Sequence, residues 1–142
     1  ENQVVNEYIL PDGSLVALNS NSKLTFPKKF KNDVREVTVT GEAFFDVEPN
    51  PGKPFIIHAG NAQVKVVGTT FNVRAYPENE RVEVIVKTGK VYVSRENESG
   101  NGMNEKPEII LNQGEKVVVF KNSVKTEKSV ISDINFLAWK TQ

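Results

Sequence analysis

The chain of 142 residues contains no cysteine, a single histidine and a single tryptophan. The absence of cysteine excludes disulfides, thiolate zinc sites and a cysteine nucleophile. With His58 alone, a cluster of histidine metal ligands cannot form, and a hydrolase triad would have to use this residue as its base. No Gly-x-Ser-x-Gly elbow supplies a nucleophile. We therefore expect neither an enzyme nor a metal or cofactor site, and we interpret His58 as a structural strand residue.

An excess of charge of one sign is also missing, because 18 basic and 18 acidic residues give a formal net charge of zero. Nucleic acids and anionic membranes select a concentrated basic surface, so neither is expected as the partner. No apolar run approaches the roughly 18 residues that a membrane span needs, and the first residues do not resemble a signal peptide. We expect either a protein partner or none, and any leader or membrane anchor to lie outside this chain.

Apolar and polar residues alternate with a period of two through most of the chain, which predicts β-strands. Residues 82–87 and 90–95 alternate on either side of Thr88 and Gly89, which predicts a two-residue hairpin turn with Gly89 at positive φ. Residues 35–40 alternate before Gly41, which we interpret as a bulge or a tight bend. Further strands are predicted at residues 43–47, 54–59, 62–67, 70–76, 108–111, 116–120 and 123–130.

The opening of the chain predicts a hairpin whose turn can be derived from its residues. Residues 4–10 and 15–18 flank the turn residues Pro11, Asp12, Gly13 and Ser14. Proline presets φ, the aspartate carboxylate can accept a hydrogen bond from the backbone two residues later, and glycine completes the turn. Later turns are predicted at Gly68, also expected at positive φ, and at Gly114.

Short strands separated by such turns predict an all-β fold, either an antiparallel β-sandwich or a rolled, solenoid-like sheet of about ten or more strands. Residues 1–131 are expected to form this domain. Residues 132–142 are expected to form a short helix at the junction to a C-terminal domain outside the chain, because Ser132 or Asp133 can cap it. Trp139 is the expected contact at that junction.

Three carboxylates close in sequence, Glu42, Asp46 and Glu48, raise the question of a glycosidase pair. Alternation places all three on the face opposite Phe45, so we interpret them as a solvated strand face. Phe44 shares the polar parity. This exception indicates either a bulge near Gly41 or a sheet that is covered on both faces.

Five blocks of this sequence, in order, resemble the FecR-like regulators. The blocks are residues 10–14, 35–47, 64–73, 86–93 and 111–115. The resemblance implies structural or turn roles at Pro11, Asp12, Gly13, Ser14, Gly41, Glu42, Phe44, Gly68, Thr69, Phe71, Asn72, Gly89 and Gly114.

The resemblance also implies a function that composition does not indicate. FecR-like proteins are anti-sigma factors anchored in the inner membrane by one helix, with a periplasmic part that receives a signal from the signalling domain of a TonB-dependent outer-membrane receptor. An extracytoplasmic-function sigma factor binds a cytoplasmic segment, which is absent here, as is the membrane helix. The chain is thus expected to be a periplasmic signal-relay domain that contacts the receptor itself or through the adjacent periplasmic domain. The alternative is an extracellular carbohydrate-binding or adhesive β-sandwich.

Overall fold

The computed structural model describes residues 6–30, 33–95, 109–120 and, for the backbone alone, 126–130. The described residues are almost entirely strands, joined by turns and one 3₁₀ turn at Pro77–Asn79. The strands are β1 Asn6–Ile9, β2 Leu15–Leu18, β3 Lys23–Thr25, β4 Arg35–Asp46, β5 Phe55–Ala59, β6 Ala62–Val66, β7 Thr70–Ala75, β8 Arg81–Thr88, β9 Val91–Arg95, β10 Ile109–Leu111, β11 Glu115–Phe120 and β12 Thr126–Val130. The predicted all-β class is confirmed.

The long strand β4 belongs to two sheets. Its second half, residues 41–46, lies between β2 and β7 in a first sheet of order β1-β2-β4-β7-β8-β11-β12. Its first half, residues 35–40, lies between β3 and β5 in a second sheet of order β3-β4-β5-β6-β9-β10. Every pairing among the described strands is antiparallel except β4 with β5, which is parallel.

Gly41 stands where β4 passes from the second sheet to the first, and it has a φ of 98°. A Cβ at this position would lie 2.7 Å from the backbone Cα of Ser22. Only glycine combines this backbone conformation with so close an approach of another segment. The tight bend that we expected at Gly41 is therefore present, within one continuous strand instead of two separate ones.

The core lies between the facing sides of the two sheets. Phe45 and Phe71, on neighbouring strands of the first sheet, stack with ring centroids 5.1 Å apart. Phe55 of the second sheet meets Phe45 edge to face at 6.2 Å. These rings, with the inward valines of β6, β8 and β9, form one apolar cluster. Strand β10, at the end of the second sheet, also contacts β11 of the first, so the sheets roll around this cluster.

The opening hairpin forms as its residues predict. The Gly13 N–H donates to the Leu10 carbonyl at 2.9 Å, the Leu10 N–H donates to the Ser14 carbonyl at 2.8 Å, and Gly13 has a φ of 91°. Asp12 Oδ1 accepts a hydrogen bond from the Ser14 N–H at 2.9 Å, two residues later as expected. This is a three-residue turn closed by a left-handed glycine.

Two turn predictions are wrong. Residues 82–87 and 90–95 do not form the expected hairpin, because β8 pairs with β7 and β11 in the first sheet while β9 pairs with β6 and β10 in the second. Gly89 has the expected positive φ of 88°, but Gly68 is not among the glycines with positive φ. A Cβ on Gly68 would instead lie 2.6 Å from the Cα of Pro49. Glycine is needed at position 68 because another backbone passes against it. The predicted C-terminal helix at residues 132–142 lies outside the described residues.

Replacing Gly41 by alanine tests the bend. The alanine variant should lose about 2–4 kcal/mol of unfolding free energy in urea, since positive φ and the contact with Ser22 both oppose a side chain. Gly52→Ala is the matched control, because a Cβ there would meet only Asn50 Oδ1 at 3.8 Å. Equal stability of the two variants would contradict the assigned role of Gly41.

Candidate functional site

The most buried charge in the described residues is the Arg35 guanidinium, whose residue is 1% exposed at the start of β4. Arg35 Nη1 donates to Asp12 Oδ2 and to the Glu48 carbonyl, both at 2.8 Å. Nε donates to the Lys53 carbonyl at 2.7 Å, and Nη2 to the Val67 carbonyl at 3.1 Å. One side chain thereby joins the opening turn, two points of the β4–β5 connection, and the residue that follows β6.

Ser14 and Phe55 complete the Arg35 cluster, which consists of Asp12, Ser14, Arg35, Phe55 and the three carbonyls above. The fully buried Ser14 hydroxyl donates to Asp12 Oδ2 at 2.8 Å and accepts the Glu48 N–H at 2.9 Å. The Arg35 guanidinium lies 5.3 Å from the centroid of the Phe55 ring, within cation–π range.

The pKa of Asp12 lies below its usual value. Burial alone would raise this pKa, but the hydrogen bonds from the Ser14 N–H, the Arg35 guanidinium and the Ser14 hydroxyl, with the charge of Arg35, outweigh it. The ionised carboxylate is therefore the form that the fold stabilises.

A second buried polar cluster surrounds Glu42 on the first sheet. Glu42 is 6% exposed, and its carboxylate accepts hydrogen bonds from Asn19 Nδ2 at 3.0 Å and Asn72 Nδ2 at 2.9 Å. Arg74 Nη1 lies 3.9 Å from Glu42 Oε1. The Glu42 N–H donates to the Ser22 hydroxyl at 2.9 Å, so the cluster also fixes the segment that packs against Gly41.

The prediction of a solvated face is thus wrong for Glu42, although Asp46 and Glu48 are exposed. Glu42 can be buried because two asparagine amides and an arginine from distant segments compensate its charge. Phe44, directly beside Asn72 in the register, is also buried, on the face opposite Phe45. The register of β4 with β7 runs unbroken from Gly41 to Asp46, so the bulge considered for Phe44 is absent and both faces of the sheet carry buried side chains at this point.

Apolar side chains are exposed at one end of the first sheet. All four residues of β1 are exposed, Ile9 to 74% and Tyr8 to 43%, and Leu15 on β2 is 47% exposed. A small cleft beside them is lined by Glu7, Leu15, Val16, Ala17, Phe44 and Asp46. We call this region the β1 edge.

Side chains that could ligate a metal do not cluster in the described residues. Within them, no three His, Cys, Asp or Glu residues are close enough together to hold a metal ion. His58 lies on β5 with Nε2 2.6 Å from Glu36 Oε2 of the neighbouring strand, at the surface. No helix in the described parts of the chain is long and apolar enough to cross a membrane.

Comparison with known proteins places these features in a family. The family model described as FecR protein matches residues 3–92. The chain belongs to the FecR family. Two crystal structures of candidate anti-sigma factors from Parabacteroides distasonis are similar over almost the whole chain. One is 35% identical with a TM-score of 0.85 over 96% of this chain, and the other is 33% identical with a TM-score of 0.84 over 99%.

The FecR chain spans only part of those two proteins, 60% of one and 65% of the other. A search of curated proteins gave no significant match.

The residues assigned to the FecR motifs occupy distinct places in the fold. Asp12 and Ser14 belong to the Arg35 cluster, Pro11 and Gly13 shape its turn, and Glu42 and Asn72 form the Glu42 cluster.

The remaining motif residues lie in turns and in the core. Gly68, Thr69 and Gly89 are in contact, because a Cβ on Gly89 would lie 3.1 Å from Thr69 Cβ and 3.3 Å from the Gly68 carbonyl oxygen. Phe71 packs in the core, and Gly114, at a φ of 83°, donates its N–H to the Val86 carbonyl at 2.9 Å. Trp139 lies outside the described residues.

Sequence analysis missed Arg35 of this FecR domain, although its signal was visible. Arg35 shares the parity of Val37 and Val39, so alternation alone places it on the buried face. A buried arginine requires several acceptors and indicates a junction of segments. Asn19 and Arg74 carry no comparable signal, because their roles depend on strands that pair far along the chain.

Asp12→Asn should weaken the fold and alter its pH dependence. The native stability that ionised Asp12 contributes is present above about pH 4, the ordinary aspartate pKa, and is lost as pH falls through the lower folded pKa. The asparagine variant should lose about 1–3 kcal/mol at pH 7, because Arg35 loses a charged acceptor. Its stability should also decline less steeply between pH 4 and pH 2 than that of the native chain.

Urea unfolding at a series of pH values measures both effects. The control is Asp33→Asn, since Asp33 is exposed. Parallel pH profiles for the native and Asp12→Asn chains would show that the aspartate charge does not stabilise the Arg35 cluster.

Proposed function

We propose that the chain is the periplasmic signal-relay and protein-interaction domain of an anti-sigma factor. The observation that carries this proposal is the similarity to two candidate anti-sigma factors over nearly the whole chain, at 33–35% identity. The FecR family is regulatory and non-enzymatic. Within that family, the described strands supply a β-domain with exposed apolar surface at one edge, which suits protein contact.

The signal that we propose starts at the signalling domain of a TonB-dependent outer-membrane receptor and ends at an extracytoplasmic-function sigma factor. In this proposal, the chain passes the signal on within the periplasm. The sigma factor binds a cytoplasmic segment of the full-length protein, which one membrane helix anchors. Residues 1–131 form the relay domain in this proposal, and residues 132–142 connect it to the next periplasmic domain.

Rigid coupling is the physical mode of relay that the contacts favour. A displacement of the opening hairpin is transmitted through Asp12 and Arg35 to the backbone at residues 48, 53 and 67, which lie one or two residues beyond the ends of β4, β5 and β6. Glu42 couples the same long strand β4 to β7 through Asn72. A load applied at one edge therefore reaches both sheets without requiring the core to open.

A direct binding measurement tests the proposal. The 142-residue chain should bind the purified periplasmic signalling domain of its cognate TonB-dependent receptor, in biolayer interferometry, and should not bind the signalling domain of an unrelated receptor. A glycan array run with the same preparation tests the carbohydrate-binding alternative.

A reporter driven by the cognate sigma factor, in the native host, supplies the functional readout. Replacing residues 6–130 in the full-length protein with an unrelated β-domain of similar length should uncouple reporter output from the receptor's ligand. Unchanged ligand response after this replacement, or binding of glycans but not of the receptor domain, would overturn the proposed relay role.

A further inference from the structure

The β1 edge offers backbone hydrogen-bonding groups to a partner. The Leu10 N–H bonds to the Ser14 carbonyl, which makes residues 10 and 14 a hydrogen-bonded pair. Hydrogen-bonded and non-hydrogen-bonded pairs alternate along an antiparallel ladder, so Tyr8 bonds to Val16 while Glu7 and Ile9 turn their N–H and C=O groups outward. Of the described strands, β2 alone pairs with β1.

Within the described parts of the chain, β1 carries no lysine, proline or bulge, and no second strand covers its open side. Natural proteins shield edge strands with lysine, proline, bulges or a covering segment, because an open edge recruits other strands. Here Ile9 is 74% exposed, and Leu15, its partner in the register, is 47% exposed. Both belong to the outer face of the first sheet, where Ala17 and Phe44 form the floor of the cleft.

The charge around the cleft is acidic. Glu7 lies beside Ala17 in the register, and Asp46 lies beside Leu15, so one carboxylate flanks each end of the apolar floor. None of the six residues that line the cleft is basic. Residues two apart on an added strand would point toward this face. An apolar side chain at one such position and lysine or arginine at the next would complement both the floor and the carboxylates.

We propose that the β1 edge is a docking site for an extended segment of a protein partner, which adds as a strand outside β1. Every second side chain of the segment lies on the outer face of the first sheet, and these side chains are apolar and basic in turn. The backbone of the segment bonds to the N–H and C=O groups of Glu7 and Ile9. In this mode of recognition, main-chain hydrogen bonds supply the affinity, and the side chains on the outer face supply the specificity. The inference deepens the proposed function and rests on it for the source of the partner.

A model peptide tests the site without the receptor. The probe is a fluorescein-labelled Thr-Lys-Thr-Ile-Thr-Lys-Thr, whose symmetric pattern presents the same outward side chains in either strand direction. The matched control peptide has glutamate in place of both lysines. In fluorescence polarisation, the lysine peptide should bind the 142-residue chain at least ten-fold more tightly than the glutamate peptide.

Two variants locate the binding on β1. Ile9→Pro removes the outward N–H and leaves the bonds between Tyr8 and Val16 in place, as proline permits on an open edge, so the lysine peptide should bind at least ten-fold more weakly. Glu7→Lys should reverse the preference between the two peptides. Glu78→Lys, at an exposed position of the 3₁₀ turn, is the control that should preserve it. Thermal unfolding checks that each variant is folded.

Unchanged peptide binding by folded Ile9→Pro, or an unchanged preference in Glu7→Lys, would overturn the docking site. A dimer of the native chain in sedimentation velocity that Ile9→Pro dissociates would also overturn it, because the occupant would then be a second copy. The receptor domain separates this inference from the proposed function. Equal receptor binding by native and Ile9→Pro chains leaves the function standing and refutes the site, whereas peptide binding without receptor binding refutes the function alone.

Discussion

The burial of the Arg35 guanidinium is the constraint on which the rest of the structure depends. An arginine cannot lose its charge, and a buried charge without acceptors would cost several kcal/mol. Arg35 is satisfied only when the opening turn and the backbone at residues 48, 53 and 67 all converge on it. These acceptors come from segments whose positions relative to one another are not fixed by the pairing of neighbouring strands. The requirement therefore selects one arrangement of the hairpin, the β4–β5 connection and the end of β6.

The same strand carries the second constraint. Beyond Gly41, β4 enters the other sheet, and Glu42 binds Asn19 and Asn72 there. One strand thus holds both sheets in a fixed relation, with a buried polar cluster on each side of its bend. The relay that we propose for this FecR-family domain rests on these junctions, because hydrogen-bonded networks lose stability steeply when one member moves. The open β1 strand belongs to the hairpin that Arg35 restrains, so the proposed docking and the proposed relay would share one connection.

Local chemistry made much of this predictable. The opening turn formed as Pro11, Asp12 and Gly13 indicate, and alternation located most strands, because both depend on neighbouring residues. The parallel pairing of β4 with β5 and the burial of Glu42 were not predictable, since they depend on partners such as Asn72, 30 residues away. Glycine at position 68 was attributed to a positive φ. The actual cause is the close approach of Pro49, a tertiary contact that neighbouring residues do not indicate.

Native-state hydrogen exchange on Arg35→Met tests the central claim that this arginine holds the hairpin to both sheets. Loss of the guanidinium should lower amide protection selectively at Leu10, Val47 and Asn50, whose N–H groups bond within the joined segments. Protection in β8 and β11 should fall only by the global loss of stability. Equal loss of protection everywhere, or unchanged protection at those three amides, would contradict the claim.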